Sequence, residues 1–194
     1  IQITSQELQC LSALVYETDP YIYPALFSSR EQALRVLPQV FRDGTDILFN
    51  LNNCFIIRSQ KEIAGLLLWH MGPIQWLGED LYTRLKSDSE STASGFELVK
   101  KEYFDGYQHI SDSSISIINV CVAEKMRGKG VGNALLDAFI KEHLENEMEL
   151  LVLCDNYPAL SLYTAFRFQP VRKLAGFSMD KEKPDCMQMC RKRG

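Results

Sequence analysis

The sequence of 194 residues lacks the features that several functional classes require. Its formal net charge is −4, and the one basic cluster is the tail Arg191–Arg193. Nucleic-acid-binding domains normally carry a strongly basic face. No apolar run approaches the about 20 residues of a membrane-spanning helix. No signal peptide is recognisable, and the start at Ile1 instead of methionine leaves a trimmed N-terminus open. We therefore expect no nucleic-acid partner and no membrane.

Cysteine and histidine are too dispersed to predict a metal site. The six cysteines form no Cys-x-x-Cys pair, and there are three histidines. Zinc sites and disulfide frameworks both need more regular spacing. We therefore expect no metal, no disulfide framework and a reducing, cytoplasmic setting.

The central part of the sequence predicts a strand, a glycine-rich turn and a helix. Ile115–Val122 is apolar and rich in β-branched residues, which is typical of a strand. The turn Arg127–Gly132 has three glycines in five positions. From Val131 onward, apolar residues recur at helical spacing. Glycines let a ligand touch the backbone, and a helix N-terminus presents unpaired N–H groups and positive dipole charge. The turn therefore predicts a phosphate site.

The spacing of this turn separates it from the common nucleotide loops. No Gly-x4-Gly-Lys-Ser/Thr string is present, and Asn133 stands where a dinucleotide turn has its third glycine. The pattern that fits is Arg-x-x-Gly-x-Gly, from Arg127 to Gly132. It resembles the acyl-CoA pyrophosphate loop of the GNAT N-acetyltransferase superfamily.

A second block downstream strengthens this resemblance. The apolar run Leu150–Cys154 is typical of a central strand. After it, Asn156, small residues and Leu162-Tyr163 are similar to the family's next motif. Arg167 stands where the family usually has a glycine, so we expect a reshaped turn there. The specific resemblance covers about residues 114–172.

The resemblance implies acetyl-CoA as cofactor and direct acetyl transfer to an amine. The pantetheine arm would pair with the strand edge at Val120–Val122, so this strand and Leu150–Cys154 should part. Asn156 would hydrogen-bond the arm; an ordinary helix cap is its alternative. The residues assigned to the cofactor are Val120, Cys121, Val122, Arg127, Gly128, Lys129, Gly130, Val131, Gly132, Asn133 and Asn156.

Tyr163 is the predicted general acid, because a phenol is protonated at pH 7 and can donate to a departing thiolate. Its alternative is a core aromatic. The family's early-strand glutamate is replaced here by Ser113. Asp112, His109 and His70 are substitute candidates for the base. Cys121 and Cys154 lack an evident activating partner, which argues against a covalent enzyme intermediate.

The resemblance also implies that the acceptor binds near the segment between the first two helices. That segment offers Tyr21, Tyr23 and Asp19 to an amine, and His70 is a further candidate for acceptor contact. Alternatively, the aromatics fix the helices to the sheet. The sequence leaves the acceptor open between a small molecule and a peptide.

The remaining patterns predict helices at 5–17, with Ser5 as N-cap, and near 30–41. Strands are expected at 47–51, 54–58, 63–70, 168–173 and 186–191, and 21–27 reads as an aromatic loop. Residues 72–112 form an insertion with helical patterns at 74–85 and 95–104. It would cap the acceptor side of the sheet, or instead form a decorative or homodimer contact.

The predicted fold is therefore a single α/β (α+β) domain over residues 1–194. It has a GNAT-type mixed sheet of about six to seven strands, flanked by helices, with the helical insertion before the cofactor strand. The predicted activity is N-acetylation of a primary amine. The alternatives are a non-catalytic acyl-CoA-binding or regulatory module and a structural interaction protein.

Overall fold

The computed structural model describes residues 3–44, 46–74, 79–88, 95–97, 99–101, 109–175 and 184–194. The strands within these ranges are β1 (Cys54–Ser59), β2 (Glu62–Met71), β3 (Ile115–Val122), β4 (Met148–Leu153), β5 (Gln169–Leu174) and β6 (Cys186–Arg191). They form one sheet in the order β1-β2-β3-β4-β6-β5. β3 and β4 are parallel, and the other neighbouring pairs are antiparallel. The predicted mixed sheet is confirmed.

Helices cover both faces of this sheet. They are α1 (Ser5–Tyr16), α2 (Ile22–Leu26), α3 (Arg30–Asp43), α4 (Glu79–Asp88), α5 (Val131–Glu142) and α6 (Tyr157–Ala165). On one face, buried side chains of α1 and α3 pack with Leu66 and Leu68. On the other face, α5 packs with Leu67 and Ile117. Because neighbouring strand residues point to opposite faces, β2 contributes to both cores. No helix in the described ranges is long and apolar enough to span a membrane.

The predicted strand at 47–51 is wrong. This segment bends into a 3₁₀ helix, Leu51–Asn53. The carboxylate of Asp46 accepts the N–H groups of Leu48 and Phe49 at 2.8 and 3.2 Å, and the Asn50 side chain accepts that of Asn52 at 2.9 Å. Short polar side chains that bind nearby backbone compete with strand pairing.

Two further boundaries differ from prediction at the N-terminus. Thr4, not Ser5, caps α1: its side chain accepts the N–H of Glu7 at 3.2 Å, and Glu7 accepts the N–H of Thr4 at 2.9 Å. This reciprocal pair is a capping box. The predicted aromatic loop contains the short helix α2.

The turn at Arg167 is not reshaped as predicted. Arg167 adopts φ 66°, the left-handed conformation for which glycine is the usual residue. The N–H of Arg167 donates to Thr164, and that of Phe168 donates to Tyr163. Arg167 therefore accepts a conformational cost of about 1–2 kcal/mol while the turn is kept.

The described part of the insertion packs on the α1–α3 side of the sheet. Leu81 and Leu85 of α4 are fully buried there. Arg84 pairs with Asp43 of α3 at 2.5 Å. Residues 95–97 and 99–101 are helical, and a Cβ on Gly95 would lie 1.7 Å from the carbonyl oxygen of Ala25. Helix α4 thus begins later than the predicted 74, while residues 75–78, 98 and 102–104 lie outside the described residues.

Candidate active site

The parallel strands β3 and β4 part halfway along their length, as predicted. They pair at Ile115–Met148, Ser116–Glu149 and Ile117–Leu150, and not beyond. On its other side β3 shifts register: Leu68 faces Asn119 while Trp69 faces Ile117. Ile118 is therefore an extra residue, a β-bulge, which bends its strand. The bulge lies where the pairing with β4 ends, so it accounts for the opening.

Two adjoining cavities occupy this opening. The larger, of about 650 Å³, extends to the glycine turn and the start of α5. The smaller, of about 100 Å³, lies between the parted strands and the segment joining α1 to α2. Residues shared by the two linings are Thr18, Val120, Asn156, Ala159 and Tyr163. The two cavities therefore adjoin along this shared wall.

The glycine turn has the geometry of an anion cradle. Gly128 and Gly130 have φ values of 71° and 79°, and apart from each glycine and its chain neighbours, no described residue has an atom within 4 Å of where a Cβ would be. Gly130 is the N-cap of α5, so no side chain satisfies the helix's first N–H groups. Such N–H groups bind phosphate oxygens. The pyrophosphate of coenzyme A fits this turn, because both the space and the donors are present.

Gly132 has a different function in the same turn. A Cβ there would approach Leu162 Cδ2 at 3.3 Å and Val122 Cγ2 at 3.7 Å. The missing side chain therefore lets α5 pack closely against α6 and β3. Arg127 is anchored beside it, because its Nε donates to the Val122 carbonyl at 3.2 Å. Arg127 and Lys129 are exposed and add positive charge.

Tyr163 lines both cavities and is itself buried, with 7% of its surface exposed. Its ring packs on Phe168 at 5.8 Å between centroids. Within the described residues, no group hydrogen-bonds its hydroxyl. Burial raises the Tyr163 pKa, and the nearby Cys121 adds to this effect. The phenol therefore keeps its proton at neutral pH.

Asn156 combines the two predicted alternatives. Its side-chain oxygen accepts the N–H of Ala159 at 3.2 Å, so it caps α6. It also lines both cavities. Since the cap uses the oxygen, the amide N–H₂ is the part that can serve a ligand.

Cys121 is among the residues that line the larger cleft, and it is buried. Burial raises its pKa to about 12. A thiol in this state is a poor nucleophile, because the thiolate is the reactive form. This agrees with direct transfer rather than transfer through a covalent cysteine adduct. All six cysteines are free thiols.

The predicted acceptor tyrosines lie elsewhere. Tyr23 is 1% exposed, and its hydroxyl donates to the Asn119 side chain at 2.9 Å. It therefore belongs to the core, where the alternative prediction placed it. Tyr21 is half-buried and does not line either cavity.

The candidate bases are also distant from the opening. His70 pairs with Ser116 near the start of β3, is half-buried, and has a pKa lowered by burial. His109 and Asp112 are exposed and precede β3. From Ile115 to Val120 the strand extends roughly 16 Å at 3.3 Å per residue. None of the three lines either cavity.

Sequence reasoning missed a buried polar chain at the opening. The Asn119 amide donates to Thr18 Oγ1 at 2.8 Å, and Thr18 Oγ1 donates to the Val15 carbonyl at 2.5 Å. Together with Tyr23, these groups join the α1–α2 segment to the cofactor strand. An asparagine inside an apolar strand was the available signal, since buried amides need partners.

The mixed sheet, its parted parallel pair and the open glycine turn form the arrangement that the resemblance to acetyltransferases implies. Residues 94–170 match the family described as "Acetyltransferase (GNAT) domain". An N-alpha-acetyltransferase of Sulfolobus acidocaldarius is 32% identical over 103 residues, which are 50% of this chain and 61% of that protein. One from Saccharolobus solfataricus is 34% identical over 70 residues, 34% of this chain and 42% of that protein.

The fold comparison extends over the whole chain. The crystal structure of an N-acetyltransferase from Staphylococcus aureus Mu50 superposes with a TM-score of 0.66 at 16% identity, covering 98% of both chains. This superposition shows the same fold, and the match of residues 94–170 to the acetyltransferase domain supports membership of the GNAT superfamily. The matched regions span less than two thirds of either curated relative.

Proposed function

We propose that this protein is an N-acetyltransferase that moves an acetyl group from acetyl-CoA directly to the α-amine of a peptide. The observation that carries the proposal is the opening between β3 and β4, with the glycine turn at one end and Tyr163 in its wall. When bound, acetyl-CoA would supply the activated acetyl thioester.

The chain's own groups have separate tasks. First-turn N–H groups of α5 would hold the pyrophosphate, and the free edge of Val120–Val122 would pair with the amide-bearing arm. The Asn156 amide would orient that arm. Tyr163 would donate its proton to the leaving sulfur, because burial keeps the phenol protonated.

The acid–base inventory favours an α-amine over a lysine side chain. At pH 7, deprotonating a lysine ammonium costs about 4.6 kcal/mol, whereas an α-ammonium of pKa 7.7–8.0 costs about 1 kcal/mol. The predicted bases His70, His109 and Asp112 line neither cavity, and an α-amine needs less help from a base than a lysine side chain does. The two curated relatives are named N-alpha-acetyltransferases.

The six free thiols support a reducing compartment such as the cytoplasm.

A matched pair of peptides tests the acceptor. One has a free N-terminus and acetylated lysines; the other has an acetylated N-terminus and free lysines. CoA release and mass spectrometry should show acetylation of the first peptide at its α-amine, with at least tenfold higher kcat/KM. Equal or greater transfer to lysine would refute the α-amine assignment. Binding of CoA with no transfer to any amine would support the non-catalytic acyl-CoA-binding alternative.

A further inference from the structure

Gly65 lies on β2, directly opposite Val122 of β3. The N–H of Ala123 donates to the carbonyl of Ala64 at 2.9 Å, so Gly65 and Val122 form a non-hydrogen-bonded pair, in which facing side chains lie close together. Gly65 is buried and does not line either cavity. Any effect of Gly65 on the cleft must therefore act through the residues around it.

The missing side chain of Gly65 leaves a recess in the sheet under α5. A Cβ there would lie 3.2 Å from Cγ1 of Val131 and 2.9 Å from the carbonyl oxygen of Cys121. Val131 is the first residue of α5, so the helix begins directly over this recess. Val131 and Cys121 both line the larger cleft. A larger residue at position 65 must therefore move the first turn of α5, the strand β3, or both.

Gly132 holds the same turn from its other side. A Cβ on Gly132 would lie 3.3 Å from Leu162 of α6 and 3.7 Å from Val122 of β3. The first turn of α5 is thus placed between two positions that lack side chains, Gly65 below it and Gly132 within it. These contacts fix the offset between the first-turn N–H groups and the free edge of β3.

This offset matters because coenzyme A is one covalent ligand with two parts. In the proposed function, its pyrophosphate binds the first turn of α5, and its amide-bearing arm pairs with the edge of β3. Two linked groups gain affinity over either one alone only when the geometry lets both bind at once. A changed offset should therefore weaken binding of the whole ligand more than binding of either part.

We infer that Gly65 is a positioning residue for the cofactor, because its missing side chain sets the offset between the first turn of α5 and the edge of β3. The inference rests on the proposed function and deepens it. It assigns an effect on the cofactor to a residue that lies behind the cleft and has no place in its lining.

Gly65→Ala is the direct test, with two probes: CoA, and its nucleotide part alone, adenosine 3′-phosphate 5′-diphosphate. We expect the Kd of CoA, measured by calorimetry, to rise at least tenfold, while the Kd of the nucleotide part changes less than threefold. The first-turn N–H groups remain in the variant, and only their position relative to β3 changes. An unchanged Kd for CoA, or equal losses for both probes, would overturn the positioning role.

Val131→Ala tests the route by a double-mutant cycle, because it removes the γ-methyl groups that lie over the recess. In the Val131→Ala background, Gly65→Ala should raise the Kd of CoA by a factor at least three times smaller than in the wild-type background. An equal factor in both backgrounds would show that packing of Val131 over Gly65 does not set the offset.

Val131→Ile approaches the same recess from the helix and leaves β2 unchanged, so it gives a reading even if Gly65→Ala does not fold. We expect the Kd of CoA to rise at least threefold, with the Kd of the nucleotide part within twofold. Unchanged CoA affinity in this variant would count against the inference in the same way.

Gly72→Ala is the matched control, because it is the same substitution directly after β2 and outside both cavity linings. Gly72 has φ 83°, and a Cβ there would lie 3.4 Å from the backbone of Asp112. It should lower the melting temperature and change the Kd of CoA less than twofold. Equal rises in Gly72→Ala and Gly65→Ala would mean general destabilisation and would overturn the inference. Wild-type protein that fails to bind CoA would refute the proposed function instead.

Discussion

At the scale of single residues, burial decides the chemistry of Tyr163. Removing a phenol from water disfavours the charged phenolate, so the pKa rises above its usual value near 10. Protonated Tyr163 is therefore available throughout the range in which an α-amine loses its proton. The pH dependence of the rate should therefore reflect the pKa of the acceptor amine and not that of Tyr163.

We expect kcat/KM for a peptide α-amine to rise with pH through about 8 and then level off up to pH 10. Tyr163→Phe should lower kcat on the order of 100-fold, within the range for one general acid. Stopped assays across this pH range measure both effects. A falling limb below pH 10, or full kcat in Tyr163→Phe with every accepted peptide, would exclude Tyr163 as the acid.

Gly130 shows how backbone conformation makes a binding site. Alanine at φ 79° costs roughly 1–2 kcal/mol and puts a methyl group beside the N-terminus of α5. We expect Gly130→Ala to weaken CoA binding at least tenfold, measured by calorimetry.

Gly44 provides the control for this substitution. It has φ 64°, ends α3, and its Cβ would have Asn50 Oδ1 at 3.9 Å as its nearest neighbour. Gly44→Ala therefore has a similar backbone cost away from the turn. It should lower stability and leave CoA affinity unchanged; equal losses of affinity would mean that the effect at Gly130 is general destabilisation.

At the scale of elements, the Tyr23–Asn119–Thr18 chain holds the α1–α2 segment on β3. Asn119 is 5% exposed and lies next to the bulge residue Ile118. Because buried amides and hydroxyls cost about 1–3 kcal/mol when unpaired, these contacts fix how the two elements meet. Asp19 and Thr18 keep their places beside the cavity for that reason.

A double-mutant cycle on Tyr23→Phe and Asn119→Ala measures this connection. Each single change should lower the free energy of unfolding by about 1–3 kcal/mol, because each removes the buried hydrogen bond between Tyr23 and Asn119. The double variant should lose about 0.5–3 kcal/mol less than the sum. Urea unfolding gives all four values.

Tyr16→Phe is the control for that cycle. It removes a hydroxyl from a half-buried ring in α1 that packs on Phe27 at 6.4 Å between centroids. It should change stability by less than about 0.5 kcal/mol. Strict additivity of Tyr23→Phe and Asn119→Ala would mean that the hydrogen bond does not couple the elements.

At the scale of the whole molecule, ligand binding should stabilise the fold. The cofactor cleft is formed by β3, α5 and α6, so a bound ligand would connect elements that unfolding separates. CoA at 100 times its Kd should add about 2.7 kcal/mol. For a chain of this size the melting temperature should rise by about 5–11 °C. Unchanged melting at saturating CoA would favour a purely structural interaction protein.

Much of the fold was predictable from local patterns. The strand–turn–helix at 115–142 and the β1–β2 hairpin are placed where the periodicity predicts them. No strand forms at 47–51, because the side chains of Asp46 and Asn50 accept hydrogen bonds from nearby backbone N–H groups, which then do not pair with a neighbouring strand. The N-cap of α1 is Thr4, one residue before the predicted Ser5, because Glu7 stands three positions after Thr4 and completes a capping box.

The residues of the candidate site were likewise predictable only in part. Gly128, Gly130, Asn156 and Tyr163 follow from short motifs, because a turn and the first turn of a helix are set by neighbouring residues. The predicted bases line neither cavity, because sequence order does not show which end of β3 borders the opening.

The sequence alone determined the glycine turn, the two strands that flank the opening and the order of the elements. These depend on spacing within a few residues, where sterics and hydrophobic period dominate. Only the tertiary structure decided that Tyr23 donates to Asn119, 96 positions away, and that Asp19, unlike Tyr21 and Tyr23, borders a cavity. Those contacts depend on the register of β3 against its neighbours, and a single extra residue at Ile118 sets that register.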